Sequence, residues 1–251
     1  MAQQKGILPL KGTMGNITFY KSKDGYLARE RGGISADRIA SDPTFQRTRE
    51  NGAEFGRAGL AGKLLRTALR ALLQNASDSK MVSRLTREMI RVIQADQTNP
   101  RGLRNVIDGE AELLLGFDFN INGKLGTSLY APYTTNINRV TGELVVNLPS
   151  FIPLNMIKAP AGATHYRINS AGVEIDFEQK VYVVDVKASA QLPWNNLATA
   201  PLTLTNAVTA NSTHPLFLVL GMEFYQQVNG SMYPLKNGSF NPLALVNISG
   251  Q

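Results

Sequence analysis

From Phe117 onward the chain is cut repeatedly by turn-forming pairs: Asn122-Gly123, Thr141-Gly142, Ala161-Gly162, Ala171-Gly172, Asn229-Gly230 and Asn237-Gly238. Glycine enters the positive-φ conformations that tight turns demand, so each pair marks a place where an extended run can reverse. The runs beside them are short and β-branched or alternating, at 117–121, 143–147, 164–168, 181–185 and 216–220. Short strands at this spacing predict an antiparallel sandwich or barrel, here an Ig/FN3-like β-sandwich over residues 112–251. No period of 20–50 residues recurs, which excludes a solenoid.

The texture before Phe117 is different. Residues 12–31 read as a β-hairpin in which Ile17 and Phe19 alternate with polar neighbours, Asp24-Gly25 supplies the turn, and Gly32-Gly33 ends the pair. Ser41-Asp42-Pro43 is a helix start, because Asp42 can cap free amides and proline at the first helical position loses no hydrogen bond. Residues 44–75 lack proline, and Ala61, Leu64, Leu65, Ala68, Leu72 and Leu73 recur at helical spacing. Gly52, Gly56, Gly59 and Gly62 interrupt the first half, and each costs about 0.5–1 kcal/mol in a helix relative to alanine. Such a series predicts either close approach by another backbone or breaks in the helix. Ser77 or Asp78 caps a second helix through about Asp96, with Val82, Leu85, Met89 and Val92 on its apolar face, and Asn99-Pro100 stops it. The expected fold class is therefore α+β: a hairpin and two helices, then the sandwich.

Charge divides the chain in the same way. Residues 1–110 carry 19 Lys and Arg against 11 Asp and Glu, a net +8, whereas the remainder carries 7 against 8. The expected domains are a basic region, 1–111, and a sandwich, 112–251. A basic half suits a polyanion or an acidic patch on a neighbouring subunit. No apolar run approaches the 18 residues of a membrane span, and 1–10 has neither the apolar stretch nor the cleavage site of a secretory signal. Synthesis in the cytoplasm is expected, with an extracellular filament or virion-like particle as a possible final site.

The chemistry-bearing patterns fall short of enzymatic sites. Cysteine is absent, which removes thiol catalysis and cysteine-held zinc. Gly56-Arg-Ala-Gly-Leu-Ala-Gly62-Lys63-Leu64 resembles a phosphate loop but has five residues between its outer glycines. Leu64 also stands where a magnesium-binding hydroxyl is required. Ser77-Asp-Ser-Lys80 has the serine-x-x-lysine spacing without a companion Lys-Thr-Gly, and reads as a helix cap. His165 and His214 belong to no spaced ligand set, and no Gly-x-Ser-x-Gly elbow accompanies them. Glu174, Asp176 and Glu178 share one face of a strand or its end and read as a solvated face. No enzyme, cofactor or metal is expected.

Two other sets point to contacts. Lys63, Arg66 and Arg70, then Arg84, Arg87 and Arg91, repeat at spacings of three and four and form basic stripes on helix faces. They suit phosphates, but no aromatic side chain accompanies them for base stacking, so solvated faces or inter-subunit ion pairs are favoured. Ile7, Leu8 and Leu10 are apolar residues beside Gly6 and Pro9, which disfavour a helix and leave an extended arm for a sheet edge. That edge can belong to the same chain or to a neighbour. With Gly56, Gly59 and Gly62, these three are the expected subunit contacts.

Residues 12–21, from Gly12-Thr-Met-Gly to Tyr20-Lys21, and 47–56, Arg47-Thr-Arg-Glu-Asn-Gly-Ala-Glu-Phe-Gly56, resemble uncharacterised conserved proteins of Bacteroidota-type bacteria. Pro149-Ser-Phe-Ile-Pro153 and residues 159–165 resemble linkers and strand starts there. The resemblance implies a basic glycine-marked hairpin, helices and sandwich-like strands, and no activity for any residue. The expectation taken forward is a non-enzymatic structural protein that self-assembles into a filament, tube or phage-like particle. The alternatives are a basic nucleic-acid-binding protein with an accessory sandwich, and a carbohydrate-binding or adhesion module.

Overall fold

The computed structural model describes residues 2–4, 9–23, 25–30, 33–76 and 78–250, with the backbone alone for Lys236 and Asn237. The chain divides into two units, Met1–Arg49 and Glu50–Gln251.

In the first unit, β1 (Ala2–Gln3), β2 (Gly12–Met14), β3 (Ile17–Ser22) and β4 (Gly25–Glu30) form one antiparallel sheet in the order β1-β4-β3-β2. The expected hairpin is β3 with β4, whose register puts Ser22 opposite Gly25, and Gly25 has the positive φ (108°) foreseen for it. Asp24 and Gly32 lie outside the described residues. Residues 12–14, expected within the hairpin, are a separate strand, because Gly15 at φ 57° reverses the chain and brings Met14 opposite Ile17. The short helix α1 (Ala36–Ser41) starts at Ser35, whose hydroxyl accepts the Arg38 amide at 3.3 Å. Asp42 caps as expected, accepting the Thr44 amide at 3.0 Å, and Pro43 opens a single 3₁₀ turn that leads into α2 (Gln46–Ala68). Among the described residues of Met1–Arg49, none is buried.

The second unit holds a core with two compartments. Helix α2 runs unbroken through all four of its glycines. A bend at Leu69 separates it from α3 (Arg70–Leu73), and α4 (Met81–Gln94) follows. The buried face of α4 is Met81, Leu85, Met89, Val92 and Ile93. Val82, expected on that face, is 45% exposed, and Met81 takes its place one helical turn before Leu85. A one-turn helix, α5 (Leu125–Ser128), precedes a three-stranded sheet of β5 (Thr134–Asn138), β6 (Glu143–Leu148) and β10 (Leu202–Ala207) in the order β10-β6-β5. Another single turn, α6 (Pro153–Met156), leads into the long strand β7 (His165–Asp176) of a second sheet. That sheet also contains β8 (Val181–Ala188), β9 (Leu192–Pro193), β11 (Leu216–Val228), β12 (Ser231–Pro234) and β13 (Leu243–Ser249). Its centre is the antiparallel pair β7–β11, matched over ten residues from Leu216 opposite Glu174 to Tyr225 opposite His165.

Both faces of that pair are covered. Tyr166, Ile168, Leu216, Leu218, Leu220, Met222 and Phe224 pack with Leu144, Val146, Leu148 and Leu204 of the smaller sheet. The alternate residues, Ala171, Val173, Ile175, Phe217 and Val219, pack with Leu65, Leu69, Leu85, Met89 and Ile93 of the helices. Each such large side chain contributes about 1.5–3 kcal/mol on leaving water. The result is helices, sheet and sheet in three layers, an α+β arrangement. The helices thus share a core with the strands, and the division between units falls at 49/50 rather than at the charge boundary of 111/112. Two of the expected runs also differ. Residues 117–121 form no strand, only a bridge from Asp118 to Ala244. Ala171-Gly172 is no turn but the middle of β7, where glycine is needed because a Cβ would lie 2.8 Å from the Asn206 Cβ in the facing sheet.

Candidate functional site

The register of the N-terminal sheet sorts its side chains. Met14 and Ile17 are opposite each other, as are Phe19 and Ala28, and Ala28 faces Ala2. Lys21 stands opposite Tyr26, with its ammonium 5.6 Å from the ring centre. One face is therefore Ala2, Met14, Ile17, Phe19, Tyr26 and Ala28, edged by Lys21 and Glu30. Met14 is 68% exposed and Ile17 44%. The other face carries Thr13, Thr18, Tyr20, Leu27 and Arg29, with the Arg29 guanidinium 5.5 Å from the Tyr20 ring centre. Of the expected arm, Ile7 and Leu8 lie outside the described residues. Leu10 is exposed, and its amide donates to Gln4 Oε1 at 2.9 Å. Ala2–Gln3 pairs with β4 of its own chain.

The glycines of α2 separate into two kinds. Gly62 faces the Leu85 side chain, with 3.5 Å between its virtual Cβ and Leu85 Cγ. Gly52, Gly56 and Gly59 meet no described atom within 4 Å, so the close backbone neighbour expected for Gly56 and Gly59 is absent among the described residues. Phe55 and Leu60, 60% and 55% exposed, flank them at helical spacing and leave an open apolar strip on the helix.

The basic stripes are likewise mixed. Arg84 turns inward: it pairs with Asp78, donates to the carbonyls of Asp118 (2.7 Å) and Phe119 (3.3 Å), and lies 5.1 Å from the Phe117 ring centre. Burial alone would raise the Asp78 carboxyl, but the Ile121 amide, Arg84 and the Lys80 amide outweigh it and hold it below its ordinary value. Arg87 and Arg91 point to solvent and share Glu88, at 2.9 and 2.8 Å. Arg66 folds back onto the Gly62 carbonyl at 3.2 Å, whereas Lys63 and Arg70 are exposed. Arg84 therefore belongs to the interior and not to a surface stripe.

The acidic trio does not form a solvated face either. Glu174 is buried and accepts from Ser212 Oγ at 2.7 Å and the Thr209 amide at 3.0 Å. Burial works to raise its carboxyl, and those donors prevail and lower it. Asp176 accepts the amides of Glu178 and Gln179, both at 2.9 Å, and stands 3.8 Å from His214. His165 Nδ1 meets Thr164 Oγ1 at 3.0 Å. Among the described residues no three of His, Asp and Glu are grouped to hold a metal ion. Ser77 lies outside the described residues.

A polar cluster that sequence reasoning passed over lies on the helix side of β11. Glu223, 5% exposed, accepts from Arg167 Nη2 and Tyr225 Oη, both at 2.5 Å, and from Asn75 Nδ2 at 3.2 Å. Burial pushes against its ionisation, yet Tyr225, Arg167 and Asn75 together hold its carboxyl low. Burial, then the Glu223 charge, push the Tyr225 phenol up to about 12. A cavity of about 250 Å³ opens beside Asn75, Glu223 and Tyr225. The carboxylate is saturated by donors, which suits a clamp between strand and helix end better than proton transfer. Its sequence signal is a charge beside an aromatic residue, Arg167 after Tyr166 and Glu223 before Phe224, the latter inside an apolar run.

Comparison with protein-family models, curated proteins and solved structures finds no match to this chain. Among the described residues, no helix is long and apolar enough to cross a membrane.

Proposed function

We propose that this chain is a non-enzymatic structural protein that self-assembles, as a filament, tube or phage-like particle, through its N-terminal unit. One observation carries the reading: a four-stranded sheet with six apolar or aromatic residues on one face has no buried residue among those described. Small sheets need a covered hydrophobic face for stability, and a second copy of the chain supplies one. Because Ala2–Gln3 pairs within its own chain, the proposal rests on the sheet face and not on a free arm. Leu10 belongs to the same unit as that sheet, and the open strip at Gly56 and Gly59 is a separate contact in this reading. The proposal needs from the C-terminal layers only a rigid brace of stacked antiparallel sheets, not the immunoglobulin or fibronectin strand order. Inward use of Arg84 removes one cation from the polyanion alternative.

The test is the assembly state of the full chain by light scattering and negative-stain electron microscopy over a range of concentrations. Wild type should form regular oligomers or polymers, and Ile17→Lys with Phe19→Lys should leave monomers with unchanged far-UV circular dichroism. A wild-type chain that stays monomeric at every concentration ends this reading.

A further inference from the structure

A second cavity, of about 470 Å³, lies between α2, the 105–107 segment and the β7–β8 turn. Its volume falls within the range of small-molecule sites, about 300–1,000 Å³. Leu60, Ala61, Leu64, Val106, Ile107 and Phe177 make an apolar wall. Leu64 and Phe177 are anchored in the helix-side core, and Phe177 meets Phe217 edge-on at 6.4 Å, so the wall is built on packed elements.

The charged groups around this wall are uneven in sign. Arg57, Lys63 and Lys180 line the cavity with a single acid, Glu178. Arg57 is held by the carbonyls of Gly102 (2.6 Å) and Arg104 (3.0 Å), which fixes its guanidinium without neutralising it. Lys63 and Lys180 are exposed, and neither is in an ion pair among the described residues. Lys180 has φ 58°, a left-handed conformation in which glycine or asparagine is more comfortable, yet the turn places a cation there.

An apolar chamber edged by uncompensated cations is complementary to one kind of ligand. We infer that this cavity binds an amphipathic anion, a free carboxylate with a medium-length alkyl chain, with the tail against Leu60, Leu64, Ile107 and Phe177 and the head beside Lys63 and Lys180. The cavity lies within Glu50–Gln251 and shares only Leu60 with the exposed strip of α2, so the assembly state of Leu60→Glu is read beside its binding.

The probe is dodecanoate below its micelle concentration, titrated calorimetrically into the full chain. One saturable site is expected. Lys63→Gln with Lys180→Gln should weaken it by roughly tenfold, since two exposed cations are lost. Leu60→Glu should abolish it, and because Leu60 is 55% exposed the variant should keep its far-UV circular dichroism. Dodecyltrimethylammonium, with the same tail and opposite charge, should show no saturable binding. Failure of dodecanoate to saturate a site, equal binding of the cationic probe, or full binding by Leu60→Glu would each overturn the inference. Phosphatidylcholine vesicles containing phosphatidic acid should not compete with dodecanoate; competition would assign the site to a membrane headgroup and overturn it as well.

Discussion

Asn169 on β7 and Gly221 on β11 stand directly opposite each other, and the side-chain oxygen of Asn169 fills the space that a Cβ on residue 221 would need. That Cβ would lie 2.5 Å from Asn169 Oδ1, 2.7 Å from Leu243 Cδ1 and 2.9 Å from the Pro242 carbonyl oxygen. The carbonyl cannot retreat freely, because it accepts the Met222 amide at 3.0 Å. Gly221→Ala should therefore destabilise the chain by about 2–3 kcal/mol. Urea denaturation measures it, and an unchanged midpoint would mean that the strand pair accommodates the methyl group.

Arg84 offers a second test of the interior. Its removal leaves the Asp78 carboxylate, whose side chain is 4% exposed, without its ionic partner and leaves two carbonyls without a donor. Arg84→Met should cost about 3 kcal/mol, the usual penalty for an uncompensated buried charge. Adding Asp78→Asn should return part of that loss. If the double variant is no more stable than Arg84→Met alone, the charge is not the source of the cost.

Acid stability should reflect Asp96. This side chain, 2% exposed as a residue, accepts the amides of Thr98, Asn99 and Asn105 and the Asn99 side chain at 2.8–3.0 Å. Burial opposes the charge, but the donors, led by Asn99, lower the carboxyl to about 2 from its ordinary 3.8. A depressed native pKa means that the unfolded chain takes up protons first as the pH falls. The stabilisation is complete well above pH 4 and is lost between about pH 4 and 2. Asp96→Asn should lower the melting temperature at pH 7 and flatten its fall across that window. A variant with the wild-type slope would exclude Asp96 as the cause.

The glycines of α2 separate stability from assembly. Gly56 and Gly59 meet no described atom where a methyl group would stand, so Gly56→Ala and Gly59→Ala should each stabilise the isolated chain by about 0.5–1 kcal/mol through helix propensity. If the strip is a subunit contact, the same substitutions should reduce self-association. Melting temperature and light scattering on one sample read both effects. Greater stability with undiminished assembly would remove the strip from the interface.

The local elements were largely legible in the sequence. Alternation of Ile17 and Phe19, the Asp42-Pro43 start and the Asn229-Gly230 turn each encode a decision made within a few residues. What covers each face was not legible, since it depends on residues far apart along the chain. Leu216 to Leu220 is apolar at every position, the mark of a strand buried on both sides, and that mark alone does not say whether helix or sheet lies above it. Charge placed the boundary near residue 111, but charge describes surfaces, and the core that joins α4 to β11 is apolar. Gly172 read as a turn because its reason for being glycine, Asn206, comes from the facing sheet. The Glu223 cluster stayed hidden for the same cause: Asn75, Arg167 and Glu223 meet only after the layers stack.

The two-sided burial of β7 and β11 also sets an order of events during synthesis. Residues 50–94 carry the helices, and the strands that cover them end with β13 at Ser249. Translation at about 5–20 residues per second separates the end of α4 from the end of β13 by roughly 8–30 s. Until residues 217 and 219 are added, Leu65, Leu85, Met89 and Ile93 lack their partners Phe217 and Val219, and until residue 245 they lack Leu245 as well. The nascent helices must wait with their apolar stripes uncovered, so a holding chaperone has its best opportunity on this chain before the last hairpin is made.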